Sequence, residues 1–135
     1  MNWKLILQLS MFGLAMGLAT VFFIPSKIEP VFWLIIFIFC AYSLARHCRR
    51  LVFVHGLLLG IANSVWITAA HILFASQYLA NHLQEAAMMK IMPFNSPQVA
   101  MALMGPGFGI VSGIVIGLFA WIASKMVKPE APALT

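Results

Sequence analysis

A chain of 135 residues that is 63% hydrophobic and only 8% charged, with a mean hydropathy of +1.00, excludes a water-soluble globule, in which about a quarter of residues are charged. The net charge of +5 comes from eight Lys and Arg against three Asp and Glu. These cations cluster at the ends of apolar runs, with no basic stripe interleaved with aromatic residues, which excludes nucleic acid and leaves the lipid bilayer as the partner.

Four apolar runs predict an all-α, integral membrane four-helix bundle filling residues 1–127, with spans at about 5–24, 31–46, 51–76 and 106–125. The first run is longer than the roughly 7 to 15 apolar residues of a signal peptide, so it is expected to stay as a span. It stops at Pro25, and the turn 25–30 sets the second span antiparallel to it. The second span ends in Arg46-His47-Cys48-Arg49-Arg50, the densest cationic cluster. Placing that loop inside puts Lys4, Arg46, Arg49, Arg50, Lys125 and Lys128 on the cytoplasmic side against Lys27 and Lys90 outside. This predicts a multi-pass protein of a cell membrane, of the bacterial inner-membrane kind, with both termini cytoplasmic. Cys40 and Cys48 give no disulfide framework, and Cys48 is expected to face a reducing compartment.

The third span begins at Leu51 and meets no proline before Pro93 and no glycine after Gly60. One helix is therefore expected to outrun the bilayer on its outer side through an extension at about 77–92. At about 100° per residue, Asn63, Ser64, Thr68, His71, Tyr78 and His82 share one arc with Gly56 and Gly60. An unsatisfied amide near the bilayer centre is costly, so Asn63 and its neighbours are expected to face protein, either as packing contacts or as the lining of a polar path.

Pro93 to Pro97 ends that helix, and Ser96 followed by Pro97 is a restart signal. Gly105-Pro106-Gly107 is expected to kink or interrupt the fourth span, which then carries Gly105, Gly109, Gly113 and Gly117 four apart. Span one offers a matching stripe that includes Gly13 and Gly17. In lipid, helices associate through close backbone approach, so these six glycines are expected to be helix-packing positions that join spans one and four or join copies as a homo-oligomer. The tail 128–135 is expected to be disordered.

No catalytic residue stands out. There is no nucleophile motif and no phosphate loop, and no Asp at all; Glu29, Glu85 and Glu130 fall outside the spans, so no intramembrane carboxylate serves a carrier. No cofactor is expected, because His55, His71 and His82 lie on one helix rather than on facing ones. His82 with Met88 and Met92 is the weak metal candidate. The sequence points first to a non-enzymatic accessory or scaffold subunit assembling through glycine faces, next to a small transporter or channel lined by the third span, and last to metal or cofactor binding at the outer face.

Overall fold

The structure is a computed structural model that describes residues 1–128, and these form six helices with no strand among them. In chain order they are α1 (Trp3–Phe22), α2 (Glu29–His47), α3 (Val52–Leu73), α4 (Ala75–Asn81), α5 (Leu83–Ile91) and α6 (Pro97–Met126). Four of them, α1, α2, α3 and α6, are long and apolar enough to cross a membrane. The tail expected to be disordered lies outside the described residues beyond Lys128.

Local chemistry sets the helix ends. Asn2 caps α1 by accepting the Leu5 N–H at 3.2 Å, and Ser96 caps α6 by accepting the Val99 N–H at 3.3 Å, with Pro97 as the first helical residue. Between α2 and α3 only four residues reverse the chain, and Leu51 takes the left-handed conformation at φ 55° to do it. At the other end, Pro25 cannot supply the N–H that Val21 O would receive in a continuing helix. Asn81 fills that gap, donating from Nδ2 to Val21 O at 2.7 Å.

That bond helps to explain the first departure from the sequence reading. The expected single helix through residue 92 is three helices, with breaks at Phe74 and His82. The first break lets α4 fold back over the end of α1, where Ala75 and Tyr78 pack with Val21 and Met101. At the second, His82 Nδ1 lies 3.1 Å from Tyr78 O, so a side chain takes up the carbonyl that a helix would give to backbone. Neither break carries a proline or glycine, and both are set by tertiary packing.

Of the kink or interruption expected at Gly105-Pro106-Gly107, the interruption does not occur, since α6 is continuous through it. Neighbouring contacts hold it there: Gly105 meets the Thr68 side chain and Gly109 meets Ser64.

The third correction is the packing order. Spans one and four were expected to pair; instead α3 is the central helix, with α1 on one side and α6 on the other, and α2 leans chiefly on α6. The glycines explain why. A Cβ on Gly60 would collide with Gly113 backbone, and one on Gly56 would come within 2.5 Å of Gly117 Cα, so α3 and α6 touch backbone to backbone. Gly13 abuts Asn63, and Gly17 abuts Ile67 and Ala70, bringing α1 equally close to α3 from behind. All six expected packing glycines thus meet α3 of their own chain.

At the end carrying Lys4, Arg46 and Lys125, called the basic end below, the four long helices close on a shared apolar core. Ile6, Leu9, Leu44, Leu59, Ile116 and Ala120 form it together with Cys40 and Ala41. Every buried residue of α2 lies between Cys40 and Ala45, and none lies in its first half. Toward the opposite end α2 therefore splays away from α3, and that geometry opens the site.

Candidate ligand cavity

The gap between α2, α3 and α6 at the end opposite the basic cluster is a cavity of about 730 Å³. Its α3 wall carries Asn63, Ser64, Thr68, His71 and, from α4, Tyr78, five of the six polar residues on the helical arc of the sequence, the sixth, His82, lying outside it. Trp33, Leu34 and Phe37 of α2 face them, while Phe108, Val111 and Ser112 of α6 form the third side. Met88, Met89 and Met92 of α5 join Met101 and Met104 of α6 near the mouth. Leu34, Phe108 and Val111 line the cavity and are also exposed on the outer surface of the helices, so its flank opens sideways between α2 and α6.

Asn63 marks the deep end. Only 2% exposed, it packs on Gly13 of α1 on one side and belongs to the cavity wall on the other. Among the described residues, neither its Nδ2 nor its Oδ1 has a hydrogen-bond partner. Other polar side chains nearby are satisfied locally. Ser64 Oγ donates to Ile61 O at 2.8 Å, and Thr20 Oγ1 lies 2.9 Å from His71 Nε2. Thr20 also reaches Met16 O at 2.9 Å; with the hydroxyl hydrogen given to that carbonyl, the imidazole N–H is the donor to Thr20.

Above His71, three rings form a column. Tyr78 stacks on His71 at 3.9 Å between centroids and on His82 at 4.3 Å. Burial, and next the carboxylates of Glu29 and Glu85, push the Tyr78 phenol well above the ordinary tyrosine range, so it stays a neutral hydroxyl. His82 is fully buried beside the column and forms no part of the cavity wall; its Nε2 stands 3.8 Å from Glu29 Oε2, beyond hydrogen-bond length.

The weak metal set is therefore divided, with Met88 and Met92 on the cavity and His82 behind Tyr78. Among the described residues no three His, Cys, Asp or Glu side chains come together as a metal-binding group.

Two residues that the sequence reading set outside the spans belong to this site. Glu29 is the first residue of α2 and Glu85 sits on the short helix α5, and both line the cavity mouth. Glu29 Oε1 accepts from Trp33 Nε1 at 3.0 Å, and Glu85 Oε2 accepts from Ser26 Oγ at 3.1 Å. The i, i+4 spacing of Glu29 and Trp33 was a visible signal. Nothing local could have shown that α5 folds back to bring Glu85 opposite.

Chemically, the site offers an apolar chamber with hydrogen-bonding groups at depth and carboxylates at the rim. No activated nucleophile or base-orienter pair is assembled on it among the described residues. Comparison with known proteins finds no matching family model, no matching curated protein and no matching solved structure.

Proposed function

We propose that the chain is a non-enzymatic membrane protein that binds one small amphipathic molecule in the cavity between α2, α3 and α6. The observation that carries this reading is Asn63: a buried amide with both polar atoms unpartnered, at the inner end of a chamber of about 730 Å³. Leaving such a group unbonded costs about 1–3 kcal/mol, a cost that a bound polar tip recovers. The volume lies within the range of about 300–1,000 Å³ usual for small-molecule sites.

In this reading the four long helices are spans of a bundle in a cell membrane of the bacterial inner-membrane kind. Both termini are cytoplasmic, because the basic end carries Lys4, Arg46, Arg49, Arg50, Lys125 and Lys128. Helices α4 and α5 then lie on the outer side, and the cavity faces the outer leaflet. Its inner half is stopped by the shared core around Leu44, Leu59 and Ile116, which favours an outward-facing binding site over an open channel. A scaffold assembling copies through glycine faces has less behind it, since each of those glycines is covered by α3 of the same chain.

A neutral sixteen-carbon alcohol bearing a diazirine tests the proposal in phosphatidylcholine nanodiscs. Photolabel should appear saturably on the segments around Thr68 and Met101, and Ser112→Trp, which fills the chamber, should remove it. Val65→Trp, on an exposed face away from the cavity, should not. Label confined to outward-facing residues, unchanged by Ser112→Trp, would refute a binding site.

A further inference from the structure

The charges around the cavity are one-sided. Among the described residues, its lining includes the carboxylates of Glu29 and Glu85 and no Lys or Arg. The hydrogen-bond donors to these carboxylates are an indole and a serine hydroxyl, which orient the oxygens without neutralising them. Lys27 and Lys90, the two cations of this end, stand in the α1–α2 turn and on α5 and do not reach the wall. An anion entering the chamber would face two negative groups in a partly desolvated setting, where like charges repel strongly.

The remaining wall suits a cation with a bulky apolar body. Trp33, Phe37 and Phe108 present aromatic rings, whose faces attract positive charge. The five methionines add soft, polarizable surface that re-packs around different shapes. An inorganic ion matches neither the volume nor the apolar walls. Asn63, buried and without a hydrogen-bond partner among the described residues, belongs to the wall at the end away from the carboxylates and supplies an independent sign that the chamber is built for an occupant.

We propose that the cavity takes a small organic cation with an aromatic or apolar body, its charge held at the mouth by Glu85 and Glu29 and its body lying along α3 toward Asn63. This rests on the binding reading above and narrows it to one substrate class. Glu85 carries more of the selection, because His82 Nε2 lies 3.8 Å from Glu29 while, among the described residues, Glu85 has only the serine hydroxyl.

Three probes of nearly the same shape test it on the full chain in phosphatidylcholine nanodiscs, with empty nanodiscs as the blank: tetraphenylphosphonium, tetraphenylborate and neutral triphenylphosphine oxide. Equilibrium dialysis should show one saturable site for tetraphenylphosphonium, at least tenfold tighter than for either of the others. Glu85→Gln should weaken the cation tenfold or more, with Glu29→Gln weaker in effect, and neither should alter binding of the oxide. If the borate or the oxide binds as tightly as the phosphonium, the charge selection is wrong while the binding site stands. If none of the three binds saturably, both readings fall. The comparison of probes on the unmodified chain decides the matter even where a glutamine variant does not fold.

Discussion

Replacing Gly113 with Ala tests whether α3 and α6 owe their stability to backbone contact. A Cβ there would sit 2.5 Å from Leu57 O and 3.0 Å from Leu57 Cα, both backbone atoms that no rotamer change can move. Ordinary contact begins near 3.4 Å, so the two helices must part by the difference, 0.9 Å. A gap of that size forfeits about a quarter to a half of each dispersion contact across it. For ~20 atom pairs of ~0.15 kcal/mol each, that is about 1 kcal/mol, and overpacking strain adds about 1–3 kcal/mol. Alanine returns up to about 1 kcal/mol through helix propensity, leaving a net loss of about 1–3 kcal/mol. Gly107, two turns away on the same helix, is the control, since its Cβ would meet nothing within 4 Å. Gly107→Ala should be neutral or stabilising by up to about 1 kcal/mol. Unfolding in mixed micelles titrated with dodecyl sulfate, followed by circular dichroism, gives both values. Equal stability of the two variants would refute the backbone-contact account.

Asn63→Leu should leave stability unchanged or raise it, because the amide has no hydrogen bond to lose among the described residues, while reducing photolabelling by the sixteen-carbon alcohol and sparing binding of tetraphenylphosphonium, which has no hydrogen-bonding group; a loss of more than about 2 kcal/mol in the same titration would mean that the amide is structural. Thr20→Val and His71→Phe each remove one side of the 2.9 Å contact between α1 and α3, and a double-mutant cycle should give a coupling of about 0.6–2 kcal/mol; a value near zero would show that the contact contributes nothing. Leu51→Gly should stabilise by about 1 kcal/mol, since the residue is 62% exposed and its left-handed backbone is strained; unchanged unfolding would argue against that strain. Burial pushes the Cys48 thiol up, against a smaller pull downward from the nearby N-terminal ammonium. Its folded pKa being the higher, raising pH through the ordinary thiol range ionises the unfolded chain first and should erode stability there. Ellman's reagent at pH 8 should accordingly label Cys48 in a Cys40→Ala chain more slowly than a free thiol, and equal rates would contradict its burial.

The shared face of the polar residues on α3 was legible in the sequence, because side-chain direction along a helix follows from its period alone. Asn63, Ser64, Thr68 and His71 fall on one face whatever surrounds them. The glycine ladder was equally visible as a packing face, but its partner was not. Glycine at every fourth position shows that something comes close, and both α1 and α6 approach α3, whose own Gly56 and Gly60 complete the contact. What the chain could not display locally are the events that depend on tertiary contact. The breaks at Phe74 and His82 answer to Asn81 satisfying Val21 O and to rings stacking around Tyr78, and no propensity scale contains them. The chamber itself arises because the small, buried residues of α2, Cys40 to Ala45, are confined to one half. Periodicity reports which face is apolar and is silent on whether a neighbour covers it.

For the proposed ligand, the sideways gap beside Leu34 and Val111 alters how affinity must be counted. A molecule that arrives through the acyl layer is already concentrated there by partitioning, and its occupancy follows its mole fraction in lipid rather than its level in water. Weak intrinsic attraction then suffices at low aqueous dose, and occupancy will shift with bilayer composition even when the polypeptide is unchanged.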